Sequence, residues 1–276
     1  MEWSGAAVNV EGFLNALTHD LSYRGQVVRH QVFPCRQPVF GRLAPPLPAA
    51  LAQALEALGV KELYSHQATA VQQVRAGKNI VVVTATASGK TLCYNLPVLE
   101  RFINEPGATA LYLYPTKALA QDQQKGLLRL AERLDPMPVV GVYDGDTSVA
   151  SRKKLRDQGQ IILTNPDMLH QGILPKHAGW GRFFGQLRFV VLDEIHAYRG
   201  VFGSNVANVL RRLRRICAHY GSNPVFICTS ATIANPREHA EALLGMAVEV
   251  VDNDGAPRGE RHVILWNPPL LGCGQD

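Results

Sequence analysis

Short apolar runs alternate with longer amphipathic segments over most of the chain. Seven runs rich in β-branched residues predict strands, at 80–83, 110–114, 139–143, 161–164, 189–192, 225–228 and 248–251. Apolar residues at helical spacing predict helices between them, at 91–103, 117–133, 149–157, 204–219 and 236–244. Buried strands that alternate with helices are typical of a parallel sheet covered on both faces. The pattern therefore predicts an α/β fold with about seven strands in one doubly wound domain.

Both ends of the chain differ from this pattern. Residues 27–33 alternate in polarity, and several prolines follow before a helix predicted at 48–58, which we expect to stop at Gly59. Residues 253–260 are rich in turn formers, and 263–266 could start a further strand. We therefore expect an N-terminal extension at 1–47, the main domain at 48–252, and a linker at 253–276.

Composition narrows the class of protein. The 276 residues are 46% hydrophobic and 18% charged, which excludes a disordered chain. The net charge of +5 permits a polyanionic partner without demonstrating one. Five widely spaced cysteines without a C-x-x-C pair indicate neither a disulfide framework nor a zinc site. No apolar stretch is long enough to span a bilayer and no leader is visible, so we expect no membrane association and a cytoplasmic location, nucleoid-associated if bacterial.

A phosphate-binding loop is predicted where the strand at 80–83 leads into a helix. Backbone N–H groups at a helix N-terminus hold phosphate oxygens, Lys90 can reach the β and γ phosphates, and the Thr91 hydroxyl can ligate Mg²⁺. Thr84 stands where the usual pattern has its first glycine, and a plain polar turn is the alternative. The predicted ATP-binding residues are Thr86, Ala87, Ser88, Gly89, Lys90 and Thr91.

Two acidic residues follow the apolar strand at 189–192. Asp193 and Glu194 are expected at the carboxyl end of the sheet, where Asp193 can hold Mg²⁺ and Glu194 can deprotonate the attacking water. Acids that merely cap a strand become the weaker explanation beside Lys90 and Thr91. The predicted catalytic residues are therefore Glu194, Asp193 and Lys90, the cofactors are ATP and Mg²⁺, and the metal ligands are Thr91 and Asp193.

Six segments in a fixed order resemble the motifs of the superfamily 2 helicases of the DEAD/DEAH-box type. They are Tyr-Ser-His-Gln at 64–67, the loop at 84–91, and the segments at 114–121, 164–169, 193–196 and 230–232. The resemblance implies the first RecA-like lobe of a P-loop NTPase, in which Gln67 would bind the adenine edge. It covers about residues 60–252.

The resemblance also implies sites for nucleic acid and for coupling. Hydroxyl, amide and amino groups at strand ends would hold the backbone of single-stranded or partly duplex nucleic acid, through Thr116, Lys117, Thr164, Asn165 and Asp167. Ser230 and Thr232 would form hydrogen bonds near His196 or Asp193 and so couple the ATP site to lobe movement. Small polar residues that simply finish a strand are the alternative reading of Ser230 and Thr232.

A narrower likeness to 3′ to 5′ DNA repair helicases with a zinc-binding C-terminal region lies in 85–90, 198–204 and 229–236. It favours DNA over RNA. The family needs a second RecA-like lobe that supplies an arginine, and this chain carries only the first, so we expect ATP binding with poor hydrolysis. The alternatives are a truncated, non-catalytic nucleic-acid-binding fragment and an RNA helicase lobe.

A basic cluster is predicted on the helix at 204–219. Val206, Val209, Leu210 and Leu213 recur at helical spacing and predict a buried face. The arginines at 211, 212, 214 and 215 then belong to the outer and flanking faces, which favours a solvated surface over a binding site.

Overall fold

The computed structural model describes residues 9–268, and the chain forms two compact units. The larger unit is Val39–Ala256, and the smaller consists of the described parts of Met1–Pro38 and Pro257–Asp276. The last residues of the predicted linker, 269–276, lie outside the described residues. Within the described part, no helix combines the length and the apolar character that a membrane span requires.

Eleven strands and ten helices are named in chain order within the described residues. The strands are β1 Val27–Phe33, β2 Phe40–Gly41, β3 Leu63–Tyr64, β4 Ile80–Val83, β5 Thr109–Leu113, β6 Val140–Val142, β7 Ile161–Thr164, β8 Leu187–Leu192, β9 Val225–Ser230, β10 Glu249–Val251 and β11 Arg261–Trp266. The helices are α1 Val10–Thr18, α2 Ala49–Ala57, α3 Ser65–Arg75, α4 Lys90–Asn104, α5 Lys117–Ala131, α6 Val149–Gln158, α7 Pro166–Met168, α8 Gly181–Gly185, α9 Gly200–His219 and α10 Pro236–Leu244.

A seven-stranded parallel sheet forms the centre of the larger unit. Its order is β10-β4-β9-β8-β5-β7-β6, and every neighbouring pair is parallel. All seven predicted strands are present, with ends that differ by at most two residues. The fold is therefore the predicted α/β fold with a parallel sheet.

Both faces of the sheet are covered, which explains why its central strands are mostly apolar. Successive side chains of a strand point to opposite faces. Val81 and Val83 belong to one buried cluster, with α9, α10 and the helical turns that follow β7. Ile80 and Val82 belong to the other, with α2, α3, α4 and α5. The predicted helices on both faces are thus confirmed.

Two helical regions of the larger unit are absent from the predicted pattern. Helix α3 buries His66 and Gln67 together with small apolar residues, so its polar sequence lacks a clear apolar stripe. After β7, residues 166–185 form a series of short helical segments, each too short for a periodic signal. Helix α9 begins at Gly200, four residues before the predicted start. The apolar periodicity of the helix does not extend to its first turn, because Val201 and Phe202 are exposed.

The smaller unit contains a two-stranded antiparallel ribbon. Strand β1 pairs with β11 in a register that brings His30 opposite Ile264 and Phe33 opposite Arg261. His30 Nε2 lies 2.9 Å from His262 Nδ1, and the Arg261 guanidinium lies 4.9 Å from the centre of the Phe33 ring. The alternating segment at 27–33 and the possible strand at 263–266 are therefore each other's partners.

Candidate functional site

The predicted phosphate-binding loop joins β4 to α4. The Thr84 and Ser88 hydroxyls lie 2.6 Å apart across the loop, and both residues are buried, whereas Thr86 and Ala87 are exposed. Gly89 precedes α4 in the left-handed conformation at φ +79°. The first N–H groups of a helix have no intrahelical acceptor, so this turn presents backbone donors beside Lys90 and Thr91. The loop therefore has the donors that a phosphate requires.

Lys90 and Asp193 lie at the same edge of the sheet. The Lys90 ammonium donates hydrogen bonds of 3.0 Å to the carbonyl oxygens of Thr84 and Ala85. Its positive charge is also close enough to lower the pKa of Asp193, against a larger opposing effect of burial. In the sheet, β9 alone separates the strands that carry these two residues. The ammonium and the carboxylate thus lie near each other at one edge of the sheet, as a magnesium triphosphate site requires.

The Asp193 carboxylate is buried and held by three groups. The Thr229 hydroxyl and the Glu194 N–H donate to Oδ1, the latter at 3.0 Å, and the Tyr94 hydroxyl lies 3.4 Å from Oδ2. Burial raises the pKa of Asp193 above its ordinary value of 3.8, and the Thr229 hydrogen bond opposes that rise. A bound cation would restore the charge balance, because desolvation disfavours the bare anion.

Glu194, the residue after Asp193, is connected through His196 to the end of β9. Its backbone is left-handed at φ 53°, a strained conformation for a residue with a side chain. Its carboxylate lies 3.1 Å from His196 Nδ1. The same His196 nitrogen lies 3.3 Å from the Ala231 backbone nitrogen. A chain of contacts therefore runs from Glu194 through His196 to the end of β9.

The contacts to Asp193 and His196 come from other residues than those expected. They are the Thr229 hydroxyl and the Ala231 N–H. The Ser230 hydroxyl is buried without a hydrogen-bond partner among the described residues, and Thr232 is exposed. Side chains alternate along a strand, so Thr229 and Ser230 point to opposite faces of β9 and only Thr229 can reach Asp193.

Gln67 links the phosphate-binding loop to a neighbouring cavity. Its side-chain oxygen accepts the Tyr64 N–H at 2.9 Å, and its side-chain nitrogen donates to the Gly89 carbonyl at 3.0 Å. The cavity has a volume of about 500 Å³, and its walls include Phe40, Ala87 and Gly89. The Phe40 ring stacks on Tyr64, with centroids 5.6 Å apart. Such a cavity offers aromatic faces and amide groups to a planar base.

Sequence reasoning missed Phe40 and two further residues at this edge. Phe40 lies in the proline-rich segment, far from any motif, and no pattern in the sequence marks it, although the structure leaves it 46% exposed. Gln123 of α5 accepts from the Thr91 hydroxyl at 3.3 Å. Thr229 stands one residue before the segment predicted for coupling.

The residues predicted to bind nucleic acid lie at the ends of two adjacent strands, β5 and β7, and the turn after the next strand, β6, contacts one of them. Thr116 begins α5, and its hydroxyl accepts the Leu119 N–H at 3.3 Å. The Lys117 ammonium lies 2.9 Å from Asp146, and this hydrogen bond raises the lysine pKa. Thr116 and Lys117 are both exposed. We call this region, from Thr116 to Asp167 across the three strand ends, the strand-end surface.

Three of these predicted residues follow β7 and differ in accessibility. The Thr164 side chain is buried and donates to the Tyr143 carbonyl at 2.6 Å, so it supports the surface from below instead of lying on it. The Asn165 side chain caps the next helical turn through the Met168 N–H at 2.8 Å. Asp167 is exposed. The structure thus brings all five predicted residues to one edge, while the Thr164 hydroxyl is already engaged.

Comparisons with known proteins agree with this arrangement. The DEAD/DEAH box helicase family matches residues 64–240. An uncharacterized ATP-dependent helicase of Bacillus subtilis, YprA, is 50% identical over 94% of this chain and 34% of its own length. The ATP-dependent helicase hrq1 of Schizosaccharomyces pombe is 38% identical over 96% of this chain and 26% of its own length.

A solved structure extends the likeness to three dimensions. The DUF1998 helicase MrfA, crystallised with DNA and AMPPNP, has 47% identity and a TM-score of 0.90, and the match covers 97% of this chain and 37% of that chain. The chain spans about a third of the length of these relatives. The family match covers more than half of the chain and includes the phosphate-binding loop, the acidic pair and the strand-end surface. The chain therefore belongs to the DEAD/DEAH box helicase family.

Proposed function

We propose that this chain is the N-terminal ATP-binding lobe of an ATP-dependent DNA helicase. The observation that carries the proposal is the placement of Lys90 and Asp193 at one edge of the sheet. The strand-end surface occupies the neighbouring strands β5, β7 and β6 of that same edge. One edge of the sheet thus carries both the nucleotide site and the nucleic-acid contacts, which is what a motor lobe requires.

The nucleotide roles follow from the chemistry of each group. Gln67 and the Phe40 cavity receive the base, and the backbone of 86–91 receives the phosphates. Lys90 neutralises the β and γ phosphates. Glu194 accepts a proton from the attacking water, and its contact with His196 orients it. Binding of the nucleotide is coupled to movement of the second lobe through His196 and the end of β9. The residues at that end are Thr229, Ser230, Ala231 and Thr232.

Mg²⁺ fits the donors at the site. It is a hard cation that takes one or two carboxylates, a hydroxyl, phosphate oxygens and water. Within the described residues, no group of three or more His, Cys, Asp or Glu side chains forms a metal site. Asp193 and Thr91 would hold Mg²⁺ together with the nucleotide, and the cation would supply positive charge that lowers the barrier to phosphoryl transfer.

The nucleic-acid partner is proposed to be DNA, single-stranded or partly duplex. Support comes from MrfA, which was crystallised bound to DNA and shares 47% identity with this chain. Thr116, Lys117, Asn165 and Asp167 would contact the backbone. Strand separation in DNA repair, in the cytoplasm or on the nucleoid, is the proposed role of the longer protein.

The proposed division of labour along the chain has three parts. Residues 1–47 form an extension, 48–252 the ATP-binding domain, and 253–276 a linker to a second RecA-like lobe. That lobe would supply the arginine that stabilises the transferring phosphoryl group, a contribution of about 10³- to 10⁵-fold in related chemistry.

Nucleotide binding and turnover test the proposal. We expect Lys90→Ala to abolish binding of a fluorescent ATP analogue, and Glu194→Gln to bind ATP without hydrolysing it. Lys78→Ala is the matched control, because Lys78 is an exposed lysine at the opposite end of β4 from the loop, where it pairs with Glu249. Unchanged nucleotide affinity in Lys90→Ala would refute the proposal.

The main alternative is a non-catalytic fragment that binds nucleic acid, and the second is an RNA helicase lobe. A non-catalytic fragment would bind oligonucleotides with the same affinity with and without nucleotide. The helicase lobe predicts that ATP analogue and DNA change each other's affinity by the same factor. Equal affinity for ribo- and deoxyribo-oligonucleotides of one sequence would remove the preference for DNA.

A further inference from the structure

Two adjoining clefts follow the first three turns of α9. The larger, of about 530 Å³, lies between α9 and α10 and includes Arg199 and Arg211 in its walls. The smaller, of about 370 Å³, lies between α9 and the turn after β7 and includes Arg212. Asn208 belongs to the walls of both. The two clefts thus lie on either side of α9 and meet at Asn208, and we call them together the α9 track.

The α9 track begins where the strand-end surface ends. Pro166, Asp167 and His170 form one wall of the smaller cleft. Asp167 is itself part of the strand-end surface, directly after β7. A polymer held at the ends of β5 and β7 could therefore continue along α9 without leaving the protein surface.

The charge of the α9 track is positive. Among the described residues that line the two clefts, Asp167 is the only acid, against three arginines and two histidines. No described residue forms an ion pair with Arg199 or Arg212. Arg211 instead bonds the Asn208 side-chain oxygen at 3.1 Å. Glu238 lies at the rim, 3.4 Å from the Asn235 side chain. Arginines without carboxylate partners retain their capacity to bind a polyanion.

An aromatic ring interrupts this basic surface. Phe202 lines the smaller cleft and is 40% exposed, and its ring lies 5.7 Å from that of Tyr198. Tyr198 is buried, so it supports Phe202 from below. Exposed aromatics within a basic groove are the arrangement that binds single-stranded nucleic acid, because bases stack on the ring while cations hold the phosphates.

The remaining two arginines of the helix do other work. Arg214 donates to the carbonyl oxygens of Leu244 and Gly245, at 3.2 and 3.4 Å, and so closes the end of α10. Arg215 is exposed and lines neither cleft. The four arginines of the basic cluster therefore have different roles: Arg214 packs against α10, Arg215 is solvated, and Arg211 and Arg212 belong to the α9 track.

We propose that the α9 track binds the continuation of the strand held at the strand-end surface. Arg199, Arg211 and Arg212 contact its phosphates, and Phe202 stacks on one base. The inference rests on the proposed function of the strand-end surface, and it adds contact residues that lie outside the six segments of the superfamily likeness. It predicts a binding site longer than the three strand ends alone provide.

Oligonucleotide length and salt test the proposal on the complete 276-residue chain. The probes are labelled oligodeoxythymidylates of about 5 and about 20 nucleotides, chosen to lie at the short end of single-strand site sizes and beyond them. We expect the double variant Arg199→Ala/Arg211→Ala to bind the short probe like the wild type. On the long probe, its plot of log affinity against log salt should be shallower by about 1.4, or about 0.7 for each phosphate that an arginine no longer neutralises.

The control has the same net charge as this variant. Arg133→Ala/Arg215→Ala also removes two exposed arginines, neither of which lines the track. It should bind both probes like the wild type. Phe202→Leu should weaken binding of the long probe by about 5-fold or more, the lower end for loss of one stacked base. Val201→Ala, at a neighbouring position that is 81% exposed, should not.

Each outcome decides between the two proposals. A wild-type chain that binds neither probe contradicts the proposed function of the strand-end surface. A wild-type chain that binds both, with the track variant indistinguishable from its control on the long probe, overturns the α9 track alone. Polyglutamate that displaces the long probe as well as unlabelled oligonucleotide does would also overturn it, in favour of an acidic protein partner. Matching thermal unfolding of both double variants excludes a folding defect.

Discussion

A single side-chain amide holds the base cavity and the phosphate-binding loop together. Gln67 accepts from the Tyr64 N–H and donates to the Gly89 carbonyl, and it is almost fully buried. Gly89 can accept this neighbour because it has no Cβ. A Cβ at that position would stand 2.6 Å from the Gln67 nitrogen, in a backbone conformation of φ +79°. The two residues therefore depend on each other.

We expect Gly89→Ala to weaken ATP-analogue binding by at least 10-fold. The left-handed conformation costs a residue with a Cβ about 1–2 kcal/mol, and the methyl group also displaces Gln67. Isothermal titration measures the binding, and urea unfolding measures the stability. Gly107→Ala is the control, because nothing lies within 4 Å of its added Cβ. Wild-type affinity in Gly89→Ala would show that the contact is not needed.

The buried environment of Asp193 disfavours a negative charge when no cation is bound. Burial raises its pKa above 3.8, so the folded state retains this proton at pH values where the unfolded state has lost it. Below pH 3.8 the carboxyl is protonated in both the folded and the unfolded state, so it has no effect on the free energy of unfolding. As pH rises through the folded pKa, the free energy of unfolding falls.

We therefore expect Asp193→Asn to be more stable than the wild type at pH 7. The amide avoids the buried charge, and its oxygen can still accept from Thr229. The difference in melting temperature should shrink as the pH is lowered and disappear below about 3.8, while binding of magnesium nucleotide is lost at neutral pH. Asp167→Asn, an exposed control, should show neither effect. A less stable variant at pH 7 would mean that the carboxylate hydrogen bonds outweigh its burial.

The candidate site was predictable where chemistry is local and unpredictable where it depends on which way a side chain points. Asp193 and Glu194 follow an apolar strand directly, and Lys90 begins the helix after the loop that follows another, so their place at the sheet edge results from local sequence. The choice between Thr229 and Ser230 depends on the pleat of β9, which the sequence of a strand buried on both faces does not reveal. Phe40 reaches the cavity through a contact with Tyr64, and no periodicity connects them.

Among the elements, α9 and α10 are joined through their ends. Gly245 ends α10 in the left-handed conformation, and Arg214 of α9 donates to two of the last carbonyl groups. A cation at this position also opposes the negative end of the helix dipole. One side chain thus completes a neighbouring helix.

Arg214→Ala should destabilise the chain by about 1 kcal/mol, the loss of a partly exposed hydrogen bond to a charged group. Arg215→Ala, one residue further on and exposed, should change stability by less than about 0.5 kcal/mol. Chemical unfolding of the two variants under the same conditions measures the difference. Equal stabilities would mean that water replaces Arg214 at the end of α10 without cost.

The elements themselves were predictable to the extent that each produces its own pattern. The central strands of the sheet are buried on both faces, so each of them reads as an apolar run. Helix α3 lacks that signal because buried His66 and Gln67 interrupt it, although Gln67 lies within a recognisable motif. The pairing of β1 with β11 joins segments more than two hundred residues apart, and nothing local specifies it.

At the scale of the whole molecule, both buried clusters belong to the larger unit. Every residue assigned to them lies between Leu43 and Val251, within Val39–Ala256. We expect a chain trimmed to 39–256 to unfold cooperatively and to bind ATP analogue within about 3-fold of the full chain. Circular dichroism and titration test this. A trimmed chain without a cooperative transition would show that the hydrophobic clusters are insufficient.

The antiparallel ribbon of the smaller unit has a consequence for synthesis. β1 emerges from the ribosome early, but its partner β11 is translated only after all of 39–256. Long-range pairing is slow because a large loop must close first. A nascent chain therefore completes the parallel sheet while β1 still has exposed backbone edges, and during that interval β1 is the segment that a chaperone or a second nascent chain can capture.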